Sequence, residues 1–288
     1  MTSILSSGAV DYWCNAFTPD REAVWKASLD AQGLSLRLAG SDREGFAVAD
    51  VMAKRMDAAG MATLVLPTCE LPSGAGPLDF ESVACRPEEV AEFRASHPGR
   101  FAAAWSIDPK QGMAGVRRAA RALDVEGAVA LHIHTHSFDL HFDAPQYYPF
   151  YALAAERSVP VVMQAGTSGG LMPSECGRPI GIDRPALHFP EVHFVLSHTG
   201  WPWVDEAVAM ALKFPNVSLG CATWPPKRWP PAFLAFVRGP GRRKALFGTG
   251  YPLVSHAAAL EQLRDLGLGD TETALLGDNA RAVFTRLG

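Results

Sequence analysis

Four histidines crowd into the stretch "LHIHTHSFDLHFD": His132, His134, His136 and His141. A ring that titrates near neutral pH can take or give a proton, and neutral imidazole is also a good metal ligand. Side chains two apart on a strand share a face, so His132 and His134 point together and His136 follows in the loop. The stretch admits proton transfer by His134 or His136, a metal held by clustered imidazoles, or plain packing. Another histidine, His198, ends an apolar run in "LSHTG". It reads either as an acid/base group or as a core ring bonded to a neighbour. In "ALFGTGYPL" an apolar run again ends in small residues, and at its centre stands Gly250, which has no side chain to offer.

These residues need a frame. Short apolar runs alternate with helical patterns along the chain: "GAVDYWCN", "ATLVLPT", "RFAAAWSID", "GAVALHIH", "VPVVMQAG", "VHFVLSH", "NVSLGCAT" and "KALFGTG" read as strands. Between them lie patterns such as "FAVADVMAKRMDAAG", with Gly60 placed as a C-cap, and "QGMAGVRRAARALD". Strands that are apolar almost throughout and bounded by helices imply a parallel sheet covered on both faces. Eight such units in 288 residues imply an α/β fold of the closed (β/α)8 TIM-barrel type. It is expected to form one domain over residues 1–288, finished by a C-terminal helix in "TETALLGDNARAVFTRL". Chemistry in such a barrel sits at the C-terminal strand ends. Here those ends carry Trp13 and Asn15, Thr68, Asp108, His134 to His136, Gln164, His198, Thr223 and Gly250.

With those ends in order, the chain resembles the amidohydrolase-related family, and within it the aminocarboxymuconate-semialdehyde decarboxylase branch. The resemblance runs through "VMAKRMDAAGMATLVLPT", "GRFAAAWSIDP", the long "ALHIHTHSFDLHFDAPQYYPFYALAAERSVPVVMQAG", "HFVLSHTGWPW", "KFPNVSL", "ALFGTGYPL" and "GDNARAVF". It covers nearly the whole chain, and it is the order and spacing of the pieces that make it specific. It implies one divalent metal at the barrel mouth, held by an H-x-H pair after the first strand, a His after the fifth and an Asp after the eighth. The matching positions here are Trp13, Asn15, Gln164 and Gly250, so all four implied ligands are replaced. Indole and glycine bring no lone pair, and amides are feeble zinc ligands. No metal and no other cofactor is therefore expected at that place. His198 matches the family's acid/base histidine, and His136 matches a histidine of the decarboxylase branch that is not among those ligands. The resemblance also implies a homodimer.

Trp13, Trp201, Trp203, Trp224 and Trp229 fall near strand ends among many prolines, as in "GWPWV" and "TWPPKRWPP". They serve either to stiffen the rim or to line an aromatic pocket. On the second use Trp13, Asn15, Gln164, Trp201 and Trp224 are the candidate substrate-binding residues. Trp13 is also large enough to fill the space of an absent metal, and Asp11 is placed to accept a hydrogen bond from the rim. Arg37, Arg43, Arg178 and Arg228 are candidates to grip an acidic group, or are simply solvated. "GTSGG", Gly166 to Gly170, is either a phosphate cradle or a flexible loop.

The balance of 26 basic against 30 acidic residues, with no basic stripe, argues against a nucleic-acid partner. The apolar runs are too short to span a bilayer, and the N-terminus lacks a basic n-region and a long h-region. Five scattered cysteines without a C-x-x-C pair read as reduced thiols, and a cytoplasmic setting is expected. The partner is then a small molecule, aromatic or carboxylate-bearing. Three functions compete. One is a metal-independent lyase or hydrolase of this barrel type that uses His198, His134 and His136 as proton carriers. Without a Lewis acid, hydrolysis of a stable amide is hard, and decarboxylation, dehydration, isomerisation or cyclisation is favoured. The second is a metal-dependent hydrolase or decarboxylase with ligands recruited from the histidine-rich stretch. The third is a binding protein that kept the fold and lost the site.

Overall fold

Eight short strands pair in parallel and in chain order. They are β1 (Ala9–Asp11), β2 (Met61–Pro67), β3 (Phe101–Ser106), β4 (Ala130–Ile133), β5 (Val161–Met163), β6 (Phe194–Leu196), β7 (Val217–Gly220) and β8 (Ala245–Leu246). The structure is a computed structural model and describes residues 8–31, 33, 44–69 and 85–287. All eight strands lie where the apolar runs place them. β1 and β8 meet just beyond their last paired residues: the Tyr12 N–H donates to Phe247 O at 3.0 Å, and the Gly250 N–H to Trp13 O at 2.9 Å. These bonds complete the barrel.

Alternation along each strand sorts the core into two parts. Leu64, Leu66, Trp105, Leu131, Met163 and Leu196 belong to the outer core, shared with the helices. Val10, Val65, Ala102, Ala104, Val162 and Leu246 belong to a separate inner cluster. The inner side chains are small, which leaves room for Tyr12 and Trp13, two large rings that belong to the same cluster. His132 follows Ala130 on the inward parity of β4, and Gln164 follows Val162 on that of β5.

The helices follow the sequence patterns. Ala49–Ala59 stops at Gly60, whose φ of 70° is the left-handed conformation a C-cap glycine supplies without steric cost. An additional helix, Glu22–Ala31, precedes the second strand and was not expected. It buries Trp25 and Leu29, four residues apart on one face.

The expected C-terminal helix is present, with one turn wound differently from the rest. Thr271–Thr273 and Asn279–Val283 are α-helical, but Ala274–Asp278 between them is wound as a π-helix. The Leu275 carbonyl in this wide turn accepts the Phe247 N–H at 3.2 Å. Asn279 donates to Arg242 O and Ala245 O, tying the segment to β8. Ala280, Val283 and Phe284 join the inner cluster and close the end of the barrel opposite its mouth. Among the described residues no helix is long and apolar enough to cross a membrane.

Candidate active site

Strand β4 ends at Ile133, and the chain turns at once into a single helical turn, Thr135–Phe138. His136 therefore sits on a helical turn rather than in an open loop, and His134 forms the corner before it. The turn sets the rings in a row, each edge-on to the next: His132 and His134 have centroids 6.4 Å apart, and His134 and His136 6.2 Å. Across the mouth, Trp13 meets His132 edge-on at 4.7 Å and His198 at 5.0 Å. The indole thus stands between two imidazoles, with only 4% of its surface exposed.

Each ring has a defined anchor. His132 Nδ1 lies 2.9 Å from Thr68 O, His136 Nε2 lies 2.9 Å from Gly166 O, and His198 Nδ1 lies 3.0 Å from Ala222 O. His134 Nδ1 bonds Ser137 Oγ. Burial disfavours the charged form of every one of these rings. It pushes His132 and His198 down to about 4, against the support of their carbonyl partners, and His134 well below its ordinary value. His136 is also lowered by burial, although the Gly166 carbonyl and the Gln164 side chain favour its charged form. The rings further oppose one another's protonation, so at neutral pH the mouth holds neutral imidazoles.

The rim after β6 is strained. His198 has φ 58° and Thr199 φ 57°, both in the left-handed region, followed by Gly200 at 73°. A β-branched threonine there is a true outlier, costing on the order of 1–3 kcal/mol that the surroundings must supply. The bond from Nδ1 to Ala222 O and the packing of Thr223 beside the ring, 3.4 Å from Nδ1, fix His198 in this pose.

The other candidates lie nearby but perform different tasks. Asn15 Nδ2 donates to Tyr251 O at 2.6 Å, so its amide ties β1 to the β8 loop. Gln164 stands beside His136. Trp201 and Trp224 pack on each other at 5.6 Å, with Trp201 exposed on the rim. Arg178 is held by Glu206 and Glu175 with its guanidinium 5.9 Å from the centre of the Trp203 ring, and Arg228 is exposed. Arg37 and Arg43 lie outside the described residues. The "GTSGG" loop has its N–H groups at Gly166, Thr167, Ser168 and Gly170 engaged internally, which leaves no phosphate cradle.

Asp11 accepts hydrogen bonds from the rim, as its place before Trp13 led us to expect, but sequence reasoning missed its partner His256 and the closure the two make. Asp11 is fully buried and accepts from Trp13 N at 2.8 Å and from Thr249 through both N and Oγ1. His256 Nε2 lies 3.0 Å from its Oδ2. The available signals were Asp11 at the strand end and a histidine following Ser255, the N-cap of helix His256–Leu266. Neither announces the other across 245 residues of chain.

The residues present do not fit a metal at the family position. An aspartate in place of Gly250 would bring a Cβ 2.5 Å from Thr223 Cγ2 and 2.7 Å from Thr223 N, at a φ of 59°. The indole of Trp13 separates the two nearest imidazoles. Among the described residues the one group of three ligand atoms that comes together, within 4.8 Å, is Asp11, Cys14 and His256. The Asp11 oxygens there are already taken by four donors. Gly250→Asp should therefore lose about 2–4 kcal/mol through overpacking and strain and gain no zinc affinity. Urea unfolding and zinc titration check this. A stable variant that binds zinc would show that the rim can open to admit the carboxylate.

The amidohydrolase family model matches residues 30–286. No curated protein matches the chain in sequence. Among solved structures, the TIM-barrel protein Bb4693 of Bordetella bronchiseptica is 22% identical with a TM-score of 0.74, over 97% of this chain and 99% of that one. The 2,6-dihydroxybenzoate decarboxylase from Rhizobium is 18% identical with a TM-score of 0.67, over 98% and 100%. A 5-carboxyvanillate decarboxylase of Novosphingobium aromaticivorans, with bound manganese, is 16% identical with a TM-score of 0.70, over 97% of each chain. At these identities the likeness to solved structures is one of fold.

Proposed function

We propose that this chain, which belongs to the amidohydrolase family, is an enzyme that transforms a small ring-bearing molecule by proton transfer, without a metal at the family position. Decarboxylation is the reaction type we favour, because decarboxylases recur among its structural neighbours. The observation that carries the metal-free part is the indole of Trp13 lodged between His132 and His198, beside a Gly250 that has no room for a carboxylate.

The chain's own groups supply the chemistry. The Ala222 carbonyl can only accept, so His198 carries its proton on Nδ1 and presents a bare Nε2. That nitrogen can take a proton from a bound molecule and return it to another atom, a shuttle that lyase and isomerase reactions both need. His134 and His136 stand along the same mouth as further proton carriers. Trp13 and the rim pair Trp201 and Trp224 offer flat apolar faces to a ring.

The test uses the intact protein dialysed against a chelator. Elemental analysis is expected to find no stoichiometric manganese, zinc or iron. Carbon dioxide release from a panel of hydroxybenzoates should proceed at the same rate before and after chelation. One metal per chain retained through dialysis would overturn the metal-free part. No turnover of any panel member would remove decarboxylation of hydroxybenzoates.

A further inference from the structure

Cys69 and Cys85 face each other across an antiparallel bridge just past the end of β2. The Cys69 N–H donates to Cys85 O at 2.8 Å. Opposite residues in a hydrogen-bonded antiparallel pair put their side chains on one face, with Cα atoms about 5.5 Å apart. A disulfide spans Cα separations of about 4.4–6.8 Å. Both residues are thiols in this structure. Among the described residues no other two cysteines are paired by a bridge.

The backbone on each side is held. Thr68, the neighbour of Cys69, donates from N to Ala104 O at 2.8 Å, accepts from Ser106 N at 2.7 Å through Oγ1, and anchors His132 Nδ1 through its carbonyl. Arg86, the neighbour of Cys85, donates from N to Glu89 Oε2 at 2.8 Å at the start of helix Pro87–Ser96. Thiols held opposite each other replace a bimolecular encounter by an intramolecular step. The two differ in access. Cys85 is 1% exposed and burial pushes its thiol up to about 12, whereas Cys69 is half-buried. Access therefore makes Cys69 the thiol that meets an oxidant from solvent, and Cys85 the one that acts second.

We propose that Cys69 and Cys85 form an oxidation site: a low-molecular-weight disulfide converts the two thiols into one cross-strand disulfide, which clamps the end of β2 to the start of helix Pro87–Ser96. In the first step Cys69 gives up its proton and its sulfur attacks one sulfur of the oxidant, forming a mixed disulfide and expelling one small thiol. In the second step Cys85 gives up its proton and attacks the Cys69 sulfur, expelling the other small thiol. Two protein thiols are oxidised, and one small disulfide is reduced to two thiols. Residues 70–84 lie between the two cysteines in sequence, so the bond also restricts the unfolded chain as a ring of about 15 residues. This inference does not rest on the mouth being catalytic.

The test incubates the full chain, reduced and then separated from reductant, with glutathione disulfide at mildly alkaline pH. Thiols titrated after denaturation should fall from five to three. The intact mass should drop by two hydrogens with no glutathione adduct, and peptide mapping without reduction should join Cys69 to Cys85. The melting temperature should rise by about 5 °C or more and return on adding dithiothreitol. Cys85→Ser should instead keep one glutathione on Cys69, and Cys69→Ser should leave Cys85 unmodified. Five remaining thiols, a lasting glutathione adduct on Cys69 of the unmodified chain, or a link from Cys14 to Cys85 would each overturn the proposal. An unchanged melting temperature in the linked protein would overturn the clamp. If a serine variant fails to fold, peptide mapping of the unmodified chain still decides.

Discussion

Asp11→Ala is expected to destabilise the fold by about 3–5 kcal/mol, enough to leave a protein of ordinary stability largely unfolded. The carboxyl group is fully buried, and its two oxygens gather Trp13 N, Thr249 N, Thr249 Oγ1 at 2.5 Å and His256 Nε2. These partners come from the start of the chain, the loop after β8 and the helix that follows it. Removing the side chain strands every one of those donors in a dry interior at the seam where β1 meets β8. Each unmade bond carries a desolvation cost of roughly 1–3 kcal/mol, partly relieved by relaxation. Asp11→Asn keeps one accepting oxygen and should lose less. Urea unfolding followed by circular dichroism measures both. A loss under about 1 kcal/mol in the alanine variant would mean that the backbone bonds Tyr12 to Phe247 and Gly250 to Trp13 close the barrel by themselves.

That seam also shows where sequence stops being informative. Strand positions were legible because a strand buried on both faces must be apolar at nearly every residue, and eight such runs recur between helical patterns. Gly60 was legible as a cap because a left-handed φ calls for glycine. The helix Glu22–Ala31 escaped notice because only Trp25 and Leu29 mark its buried face, too few for a clear period. The π-helical turn at Ala274–Asp278 escaped because its cause, the Phe247 N–H seeking Leu275 O, lies on another element. At the mouth, the loss of ligand types at Trp13, Asn15, Gln164 and Gly250 was visible residue by residue. That Thr223 fills the space beside Gly250, and that the imidazoles present lone pairs rather than N–H groups, depends on contacts between distant strands. Side-chain type can be read from a sequence, but tautomer and free volume come only from the packing.

Replacing His198 should lower turnover by about 10² to 10⁴, the usual worth of a positioned acid/base group. The residue holds φ 58°, a conformation that asparagine tolerates better than alanine, so His198→Asn is the cleaner variant and His198→Gln a second. Turnover is measured on a substrate identified from the hydroxybenzoate panel, with circular dichroism to confirm folding. A pH profile separates chemistry from structure. Burial lowers the imidazole to about 4, so its basic form is fully present above that value. The rate of the unmodified enzyme should stay level from pH 8 down to about 5 and then fall toward tenfold per unit. The same shift acts on stability. The folded ring titrates below the ordinary value near 6.5, so the unfolded chain binds more protons between the two. Stability from His198 is complete above about 6.5 and is lost as pH falls through about 4, and circular dichroism at each pH must therefore accompany the rates. If the fold persists down to about half a unit below the folded value of about 4 while the rate drops about fourfold, the proton on His198 controls the chemistry. Full activity in both variants would remove His198 from the mechanism and leave His134 and His136 as the proton carriers. Unfolding of both variants would instead make the ring a structural post, bonded to Ala222 and braced by Trp13, that the strained turn needs to hold its shape.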